Sequence, residues 1–230
     1  VSFSGGKDST VLLHLVRSLY PDTKGLFVDT GLEYPEIRDF VKKTDNIDWV
    51  KPAKNFRQVL TDYGYPVVSK EVSQYVSDLQ NPTEKNAHTR RIRLEGSGFK
   101  NGKSKTGKLS DKWRFLVDAP FKCSSRCCDI LKKAPIKKYE KHNGASAYVG
   151  VMADESRLRK QSWFASGCNS FHAKNPQSRP LMFGESKIYG LILNYIIYSM
   201  PRSTIKTSSV RGAYTVCLAI GVTALTDLLC

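Results

Sequence analysis

Apolar residues along the first 65 positions follow two alternating patterns. Short runs rich in branched and aromatic residues are typical of buried strands, whereas apolar residues three or four positions apart are typical of helices with one buried face. The pattern predicts strands over residues 1–3, 24–29 and 47–50, and helices over 11–19, from 35 onward and over 56–63. Strands that alternate with helices at this spacing predict an α/β fold, in which a parallel sheet carries helices on both faces.

The rest of the chain has a weaker pattern. Residues 80–118 are polar and rich in Lys and Gly, which predicts a long loop or an insertion. A helix follows over 126–142, limited or kinked by Pro135, and then a strand over 147–152. Val1 already lies in the first predicted strand, so we expect the natural chain to begin upstream of it.

Composition excludes several classes of protein. The 230 residues include 36 Lys and Arg against 21 Asp and Glu, a net charge of +15, and 40% are hydrophobic, as in a globular and not a disordered protein. No apolar run reaches the roughly 18 to 20 residues that span a bilayer, and we find no secretory signal, so we expect a cytoplasmic protein without a membrane partner. A chain of this length can bury a sufficient core without disulfides, so we interpret its six cysteines as reduced thiols.

The segment Ser4-Gly-Gly-Lys-Asp-Ser9 carries the strongest chemical indication. It follows a strand and opens a helix, so its backbone N–H groups and the positive end of the helix can hold an anion. Its two glycines allow a tight turn and the close approach of a phosphate, its lysine adds a positive charge, and its serines add hydroxyls. The spacing is not that of a Walker A loop. The predicted phosphate-binding residues are Ser4, Gly5, Gly6, Lys7, Asp8 and Ser9.

This hexapeptide resembles the PP-loop of the adenine nucleotide alpha-hydrolase-like superfamily, and a second segment narrows the resemblance. Asp29-Thr-Gly-Leu-Glu-Tyr-Pro-Glu36 is typical of the phosphoadenosine phosphosulfate (PAPS) reductase family, with further similarity over 152–163 and 178–183. The resemblance covers residues 1–183 and implies a Rossmann-like sheet with an adenylated substrate at the carboxyl ends of the strands. Ligands of open α/β sheets bind at that place on general grounds as well.

Two further groups of residues are expected near such a substrate. Asp29, followed by Thr30 and Gly31, ends a strand, and its carboxylate could hold a ribose hydroxyl or, with ATP as the ligand, a magnesium ion; alternatively it caps a turn or a helix. Three cations after the strand over 147–152 could clamp a sulfate or an additional phosphate, for which the arginine fork is suited; alternatively they form a solvated helix start. These cations are Arg157, Arg159 and Lys160.

Cys127 and Cys128 are adjacent, and vicinal cysteines rarely bridge each other. In a reducing compartment the pair indicates metal ligation, and four thiolates suit an iron–sulfur cluster. Several members of the PAPS reductase family hold a 4Fe-4S cluster with such a pair and a distant Cys-x-x-Cys, so the resemblance implies half of a ligand set here. The chain has no Cys-x-x-Cys, and Cys123 supplies only a third ligand. The catalytic residues therefore stay unassigned.

Charge density falls sharply after Phe183. Residues 184–230 contain six charged residues, against 51 in the first 183. A single-base shift at the Phe183 codon lets the following residues be read as Trp-Arg-Glu-Gln-Asp-Ile-Trp, which is similar to the family pattern, and restores a Cys-Val-Tyr-Cys further on. We hypothesise that 184–230 is translated out of frame and that the intact frame would complete the 4Fe-4S ligands; the alternative is a divergent hydrophobic tail. The gene sequence across that codon decides between the two.

The basic charge is concentrated in the insertion. Ten cations lie between Lys85 and Arg114, interleaved with Phe99, Trp113 and Phe115. Such a stripe could follow a nucleic-acid backbone and stack on bases, act as a lid that attracts a small polyanion such as PAPS, or be a solvated loop.

The resemblance implies an oxidoreductase that binds PAPS or adenylyl sulfate on the PP-loop and reduces or transfers its sulfur. The electrons would come from a thiol donor such as thioredoxin or from a cluster. One alternative is an ATP-dependent PP-loop sulfurtransferase that acts on tRNA or DNA. The other is a non-catalytic nucleotide-binding remnant, because the chain lacks part of the family's cysteine set.

Overall fold

The computed structural model describes residues 1–98, 104–170, 176–184 and 190–192. These residues fall into two compact units. Val1–Pro52 and the described residues from Ala134 onward form the first unit, and Ala53–Lys133 forms the second. The hypothesis of an out-of-frame tail concerns residues that lie almost entirely outside the described ranges, so it stays a prediction.

Short helices occur in both units, whereas the four described strands all lie in the first. The described residues form helices α1 (Lys7–Leu19), α2 (Pro35–Lys42), α3 (Phe56–Tyr63), α4 (Lys70–Gln80), α5 (Ala87–Glu95), α6 (Ala134–Asn143) and α7 (Arg157–Ser166), and strands β1 (Gly25–Val28), β2 (Ile47–Val50), β3 (Ala147–Tyr148) and β4 (Gln177–Ser178). They also form 3₁₀ helices over Asp111–Asp118 and Ala153–Glu155, and a π turn over Asp129–Lys133. In the part of the chain that is described, no helix is long and apolar enough to cross a membrane.

The strands of the first unit are parallel. β1 pairs with β2 along its whole length, and Ser2 pairs with Leu26 on the other side of β1. The Ser2 amide also donates a hydrogen bond of 2.9 Å to the carbonyl of Tyr148 in β3, and β3 pairs with β4. The order across the sheet is therefore β2, β1, residues 1–3, β3, β4, which confirms the predicted α/β fold with parallel strands. The order reverses at residues 1–3, where an open sheet of this kind binds its ligand.

Buried apolar side chains hold α1 and α2 against this sheet. The two helices begin where the sequence allows: α1 directly after the glycine pair, and α2 with Pro35 at its first position, where a missing N–H has no cost. One apolar cluster joins both helices to β1, and a second joins α1 to the chain after β3. The first cluster contains Phe3, Leu13, Phe27 and Val41, and the second contains Val11, Leu12, Val16, Met152 and Leu181.

The helix predicted over 126–142 is interrupted near Pro135. Asp129–Lys133 forms a π turn, and α6 begins at Ala134. A proline has no N–H to donate to the carbonyl one turn earlier, and its ring crowds that carbonyl. The wider π turn relieves both constraints, which explains its position directly before Pro135.

Of the two alternatives for residues 80–118, the long loop is wrong, whereas the insertion stays a prediction. α5 and the 3₁₀ helix over Asp111–Asp118 lie within that range, and α4 packs against both. α5 buries none of its residues, so its sequence carries no apolar period that could have revealed it. The core of this region consists of Val76, Leu79, Leu109, Leu116 and Cys123.

Helix α5 is held by Arg93 and not by an apolar face. Its Nε donates to Oδ2 of Asp78 at 2.9 Å, and its guanidinium carbon lies 3.9 Å from the centre of the Tyr75 ring. The backbone carbonyl of Arg93 accepts a hydrogen bond from Leu109. The Arg93 and Asp78 side chains are only 18% and 16% exposed, so water screens this ion pair weakly.

Replacing Arg93 is expected to destabilise the second unit far more than replacing its neighbour Arg91. Arg93→Met leaves the weakly exposed Asp78 carboxylate with only the Gln74 amide as a partner and removes the contact with the Tyr75 ring, a loss of about 2–3 kcal/mol in the free energy of unfolding. Arg91→Met breaks an exposed pair with Glu95 and should cost less than about 0.5 kcal/mol. Urea unfolding followed by circular dichroism measures both, and equal losses would contradict the role given to Arg93.

A hydrogen bond between α6 and β2 links the stability of the first unit to pH. The Tyr139 hydroxyl donates to Oδ2 of Asp48 at 2.5 Å. This bond raises the pKa of Tyr139 to about 12 and, more than the nearby Lys24, lowers the pKa of Asp48. The raised tyrosine pKa gives stability that is present below the ordinary value and lost as pH rises through about 12. The lowered aspartate pKa gives stability that is present above the ordinary carboxyl value and lost as pH falls through the lowered one.

Tyr139→Phe should therefore destabilise the protein near neutral pH by about 1 kcal/mol, the net contribution of one hydrogen bond. Its difference from the wild type should shrink both in acid, as Asp48 becomes protonated, and above about pH 10, as the tyrosine ionises. Thermal unfolding across this pH range is the measurement. The exposed Tyr20 supplies the control, because Tyr20→Phe should show no such profile; a difference for Tyr139→Phe that does not vary with pH would contradict the linkage.

Candidate functional site

The PP-loop of the first unit, residues 4–9, is packed tightly against α2. Gly5 has a φ of +75°, a region that favours glycine. A Cβ at this position would lie 2.9 Å from Cγ2 of Ile37 and 3.0 Å from Cγ2 of Val41. Both the backbone conformation and the available space therefore require glycine, and they fix the loop relative to α2.

Hydroxyl groups of the loop mainly hold the loop itself. Oγ of Ser9 is buried, donates to the Gly6 carbonyl at 2.9 Å and accepts from the Ser4 amide at 3.2 Å. Oγ of Thr10 also donates to the Gly6 carbonyl, a contact that the sequence did not indicate. Ser4 is exposed and joins this network through the 3.0 Å contact between its Oγ and that of Ser9. Ser9 and Thr10 therefore shape the turn, whereas Ser4 lies at its surface.

The start of α1 is suited to an anion. Gly6 is its N-cap residue and has no side chain that could accept hydrogen bonds from the first turn. The first N–H groups of a helix lack partners within it, and the positive end of the helix dipole lies there. Nζ of Lys7 lies 3.3 Å from Oδ1 of Asp8, so the loop's only cation is paired with its only carboxylate. Backbone N–H groups, more than side chains, would therefore hold an anion here.

Polar groups of the loop after β1 are largely hydrogen-bonded within the loop and to α2. Oδ2 of Asp29 accepts from Nη2 of Arg38 at 2.9 Å, and its Oδ1 accepts from the Gly31 amide at 3.2 Å. The amide and hydroxyl of Thr30 both donate to the Glu33 carboxylate. The structure thus has Asp29 and Thr30 buried at the end of β1, with their hydrogen-bonding capacity largely used within the loop.

The chain that leaves β3 passes directly by the PP-loop. A Cβ on Gly150 would lie 3.2 Å from the backbone oxygen of Asp8, and Met152 is buried beside Val11 and Leu12 of α1. β3 ends at Tyr148, four residues before the predicted end, because the chain turns here from the sheet toward the loop. The residues after β3 therefore line the same end of the sheet as the PP-loop.

A comparison with known protein families agrees with this geometry. Residues 1–76, which hold the PP-loop, β1, α2 and β2, match the model of the phosphoadenosine phosphosulfate reductase domain.

A curated relative matches part of the chain. An uncharacterized protein of the archaeon Methanocaldococcus jannaschii, MJ0973, is 44% identical over an alignment of 69 residues that covers 28% of this chain. The match covers 17% of that protein's own length. The match to the reductase domain is confined to residues 1–76, and this chain spans only a small part of the relative's length.

The predicted sulfate clamp lies at the start of α7, outside the residues that match the family model. Arg157, Arg159 and Lys160 are all exposed, and Arg159 forms an ion pair with Glu155. The Glu155 carboxylate also accepts a hydrogen bond of 3.0 Å from the Met152 amide, which ties it to the chain beside the PP-loop. No described contact joins the three cations to the PP-loop itself, so their role as a clamp stays a prediction.

Arg179 is a buried cation that the sequence did not single out. It is 6% exposed and donates to Oγ of Ser162 at 3.1 Å, to Oγ of Ser166 at 2.7 Å and to the Gly167 carbonyl at 3.0 Å. These groups lie in the last turn of α7 and just beyond it, where the helix dipole is negative and favours a cation. Arg179 therefore caps the C-terminal end of α7 and fixes it to β4.

The cysteine pair lies in the second unit, and its role as half of an iron–sulfur ligand set stays a prediction. Cys127 is buried, and burial raises the pKa of its thiol, as it does for Cys123. Within the described ranges no group of three or more Cys, His, Asp or Glu residues could hold a metal ion.

Half of the described cations in the basic stripe of the insertion are paired with carboxylates. Lys100, Lys103 and Phe99 lie outside the described residues. Of the eight described cations between Lys85 and Arg114, four form ion pairs with carboxylates, and Lys112 lies over the Trp113 ring. The pairs are Arg91 with Glu95, Arg93 with Asp78, and both Lys108 and Arg114 with Asp111. This pairing weakens the interpretation of the stripe as a nucleic-acid surface.

Gly5→Ala tests whether the packing of the PP-loop against α2 sets its shape. The strained φ and the overlap with two side chains should together cost about 2–4 kcal/mol of unfolding free energy. Gly144 is the matched control, because it has a φ of +60° with nothing within 4 Å of a Cβ. Gly144→Ala should cost only about 1 kcal/mol, from the strained φ alone. Urea unfolding of both variants gives the difference, and equal costs would mean that α2 does not constrain the loop.

Proposed function

We propose that this chain binds an adenylyl nucleotide that carries a sulfate, of the PAPS or adenylyl sulfate type, and takes part in the reduction or transfer of its sulfur. The observation that carries the proposal is the uncapped start of α1 behind Gly5, at the point where the strand order reverses. An anion bound there accepts hydrogen bonds from backbone N–H groups and gains from the helix dipole. The family match of residues 1–76 supports an adenine nucleotide as the molecule that carries this anionic group.

The chain's own residues would bind and orient the substrate. The PP-loop would hold one charged group of the substrate. The cations at the start of α7, which follow the chain segment that passes the loop, would attract the substrate's other charged group. With the sulfur held in this way, a thiolate could attack it, so that a sulfur–sulfur bond forms, the bond from sulfur to the bridging oxygen breaks, and the adenosine phosphate leaves with that electron pair.

The attacking thiolate is proposed to come from a separate thiol donor, such as a thioredoxin-like protein. Burial raises the pKa of Cys123 and Cys127, and also that of Cys168, where the nearby Arg179 opposes the shift. A raised pKa keeps a cysteine protonated at neutral pH, and the thiolate is the nucleophilic form. These cysteines are therefore poorly suited to begin the attack.

Titration calorimetry on the full chain tests the proposal. A sulfated adenylyl nucleotide should bind, and Lys7→Met should weaken binding about tenfold, or about 1.4 kcal/mol, because it removes the cation of the PP-loop. Lys42→Met is the control, since it removes an exposed cation from α2 without touching the loop, and it should bind like the wild type.

Two results would contradict the proposal. One is the failure of both sulfated nucleotides to bind to the wild type. The other is the release of pyrophosphate from ATP on addition of tRNA or DNA, which would identify an ATP-dependent sulfurtransferase instead.

A further inference from the structure

Both oxygens of the Asp29 carboxylate accept hydrogen bonds within the protein. Its side chain is only 4% exposed, with Nη2 of Arg38 on one oxygen and the Gly31 amide on the other. A divalent cation such as Mg²⁺ is bound through carboxylate oxygens. At Asp29 it would have to displace the Arg38 guanidinium or lie beside that positive charge. Asp29 is thus poorly suited to bind Mg²⁺.

Arg38 reaches this position from the helix that supports the PP-loop. It follows Ile37, whose side chain lies against Gly5, and its own side chain extends to the end of β1. That side chain is 38% exposed, so part of the guanidinium faces solvent although the ion pair is anchored on a buried carboxylate. Its Nε is buried and has no hydrogen-bond acceptor among the described residues. Arg38 therefore keeps donor capacity beyond the bond to Asp29.

We propose that Arg38, anchored by Asp29, binds an anionic group of the nucleotide and makes binding at this site independent of a divalent cation. This inference rests on the proposed function. It assigns to Arg38 the ligand contact and to Asp29 the positioning of Arg38. The planar guanidinium can pair with two oxygens of a phosphate or sulfate while Asp29 holds its other edge, a geometry that lysine cannot reproduce.

A purely structural role predicts a different outcome. If Arg38 only fixes α2 to the end of β1, its loss lowers the stability of the first unit but leaves the metal dependence of ligand binding unchanged. If Arg38 supplies the positive charge of the site, its loss exposes the Asp29 carboxylate beside the ligand. A bound anion then needs Mg²⁺ to offset the repulsion.

The experiment is calorimetric titration of the full chain with adenylyl sulfate and with ATP, each in EDTA and in excess Mg²⁺. The wild type should bind adenylyl sulfate with the same affinity in both conditions. Arg38→Met should bind it at least tenfold more weakly in EDTA and recover part of that loss in Mg²⁺. Arg38→Lys should be intermediate in EDTA, and Lys42→Met, on the exposed side of the same helix, should match the wild type.

A variant without a free carboxylate separates the two roles further. In Arg38→Met combined with Asp29→Asn, the gain from Mg²⁺ should disappear, because the exposed charge is gone. Circular dichroism on every variant confirms that it is folded before titration. The inference is overturned if the wild type requires Mg²⁺, or if a folded Arg38→Met variant binds as tightly as the wild type in EDTA. The failure of the wild type to bind any nucleotide would instead overturn the proposed function.

Discussion

The close packing of Gly5 on α2 is the constraint from which the arrangement of the first unit follows. Ile37 and Val41 leave no room for a Cβ, and the left-handed φ of this residue turns the chain from a strand into α1 within a few positions. Because the turn is this tight, the first N–H groups of α1 lie at the carboxyl end of the central strand. The same contact fixes α2, and with it the helix that carries Arg38.

Polar side chains around the site serve mainly to hold the backbone. Ser9 and Thr10 bind the Gly6 carbonyl, and Thr30 binds Glu33. A buried polar group left without a partner costs about 1–3 kcal/mol, so a loop that must keep its shape without a ligand satisfies these groups internally. What suits an anion here is the start of α1, where the helix dipole is positive and the N-cap glycine offers no side-chain acceptor.

Sequence patterns predicted the elements whose apolar residues repeat. The strand over 47–50 and the helix over 56–63 have the predicted bounds, and α1 follows the motif that indicated its start. Elements that depend on polar contacts escaped prediction. α5 has no apolar face that a periodic pattern could reveal. Arg38 contacts a residue nine positions away, and Arg179 contacts one seventeen positions away. Such contacts depend on the folded geometry and leave no periodic pattern in the local sequence. The PP-loop residues were recognisable because a turn, a phosphate and a helix start together demand glycine at a fixed place.

The basic charge of the insertion has a structural explanation that its sequence alone did not suggest. A helix without an apolar face cannot be held by burial, so another interaction has to fix it. In α5 this interaction is the weakly screened pair of Arg93 and Asp78, reinforced by the Tyr75 ring. Charges used in this way are unavailable to an external polyanion, because binding a phosphate would first require breaking the existing pair. A run of cations in a sequence therefore indicates a nucleic-acid surface only after the carboxylates that face it have been taken into account.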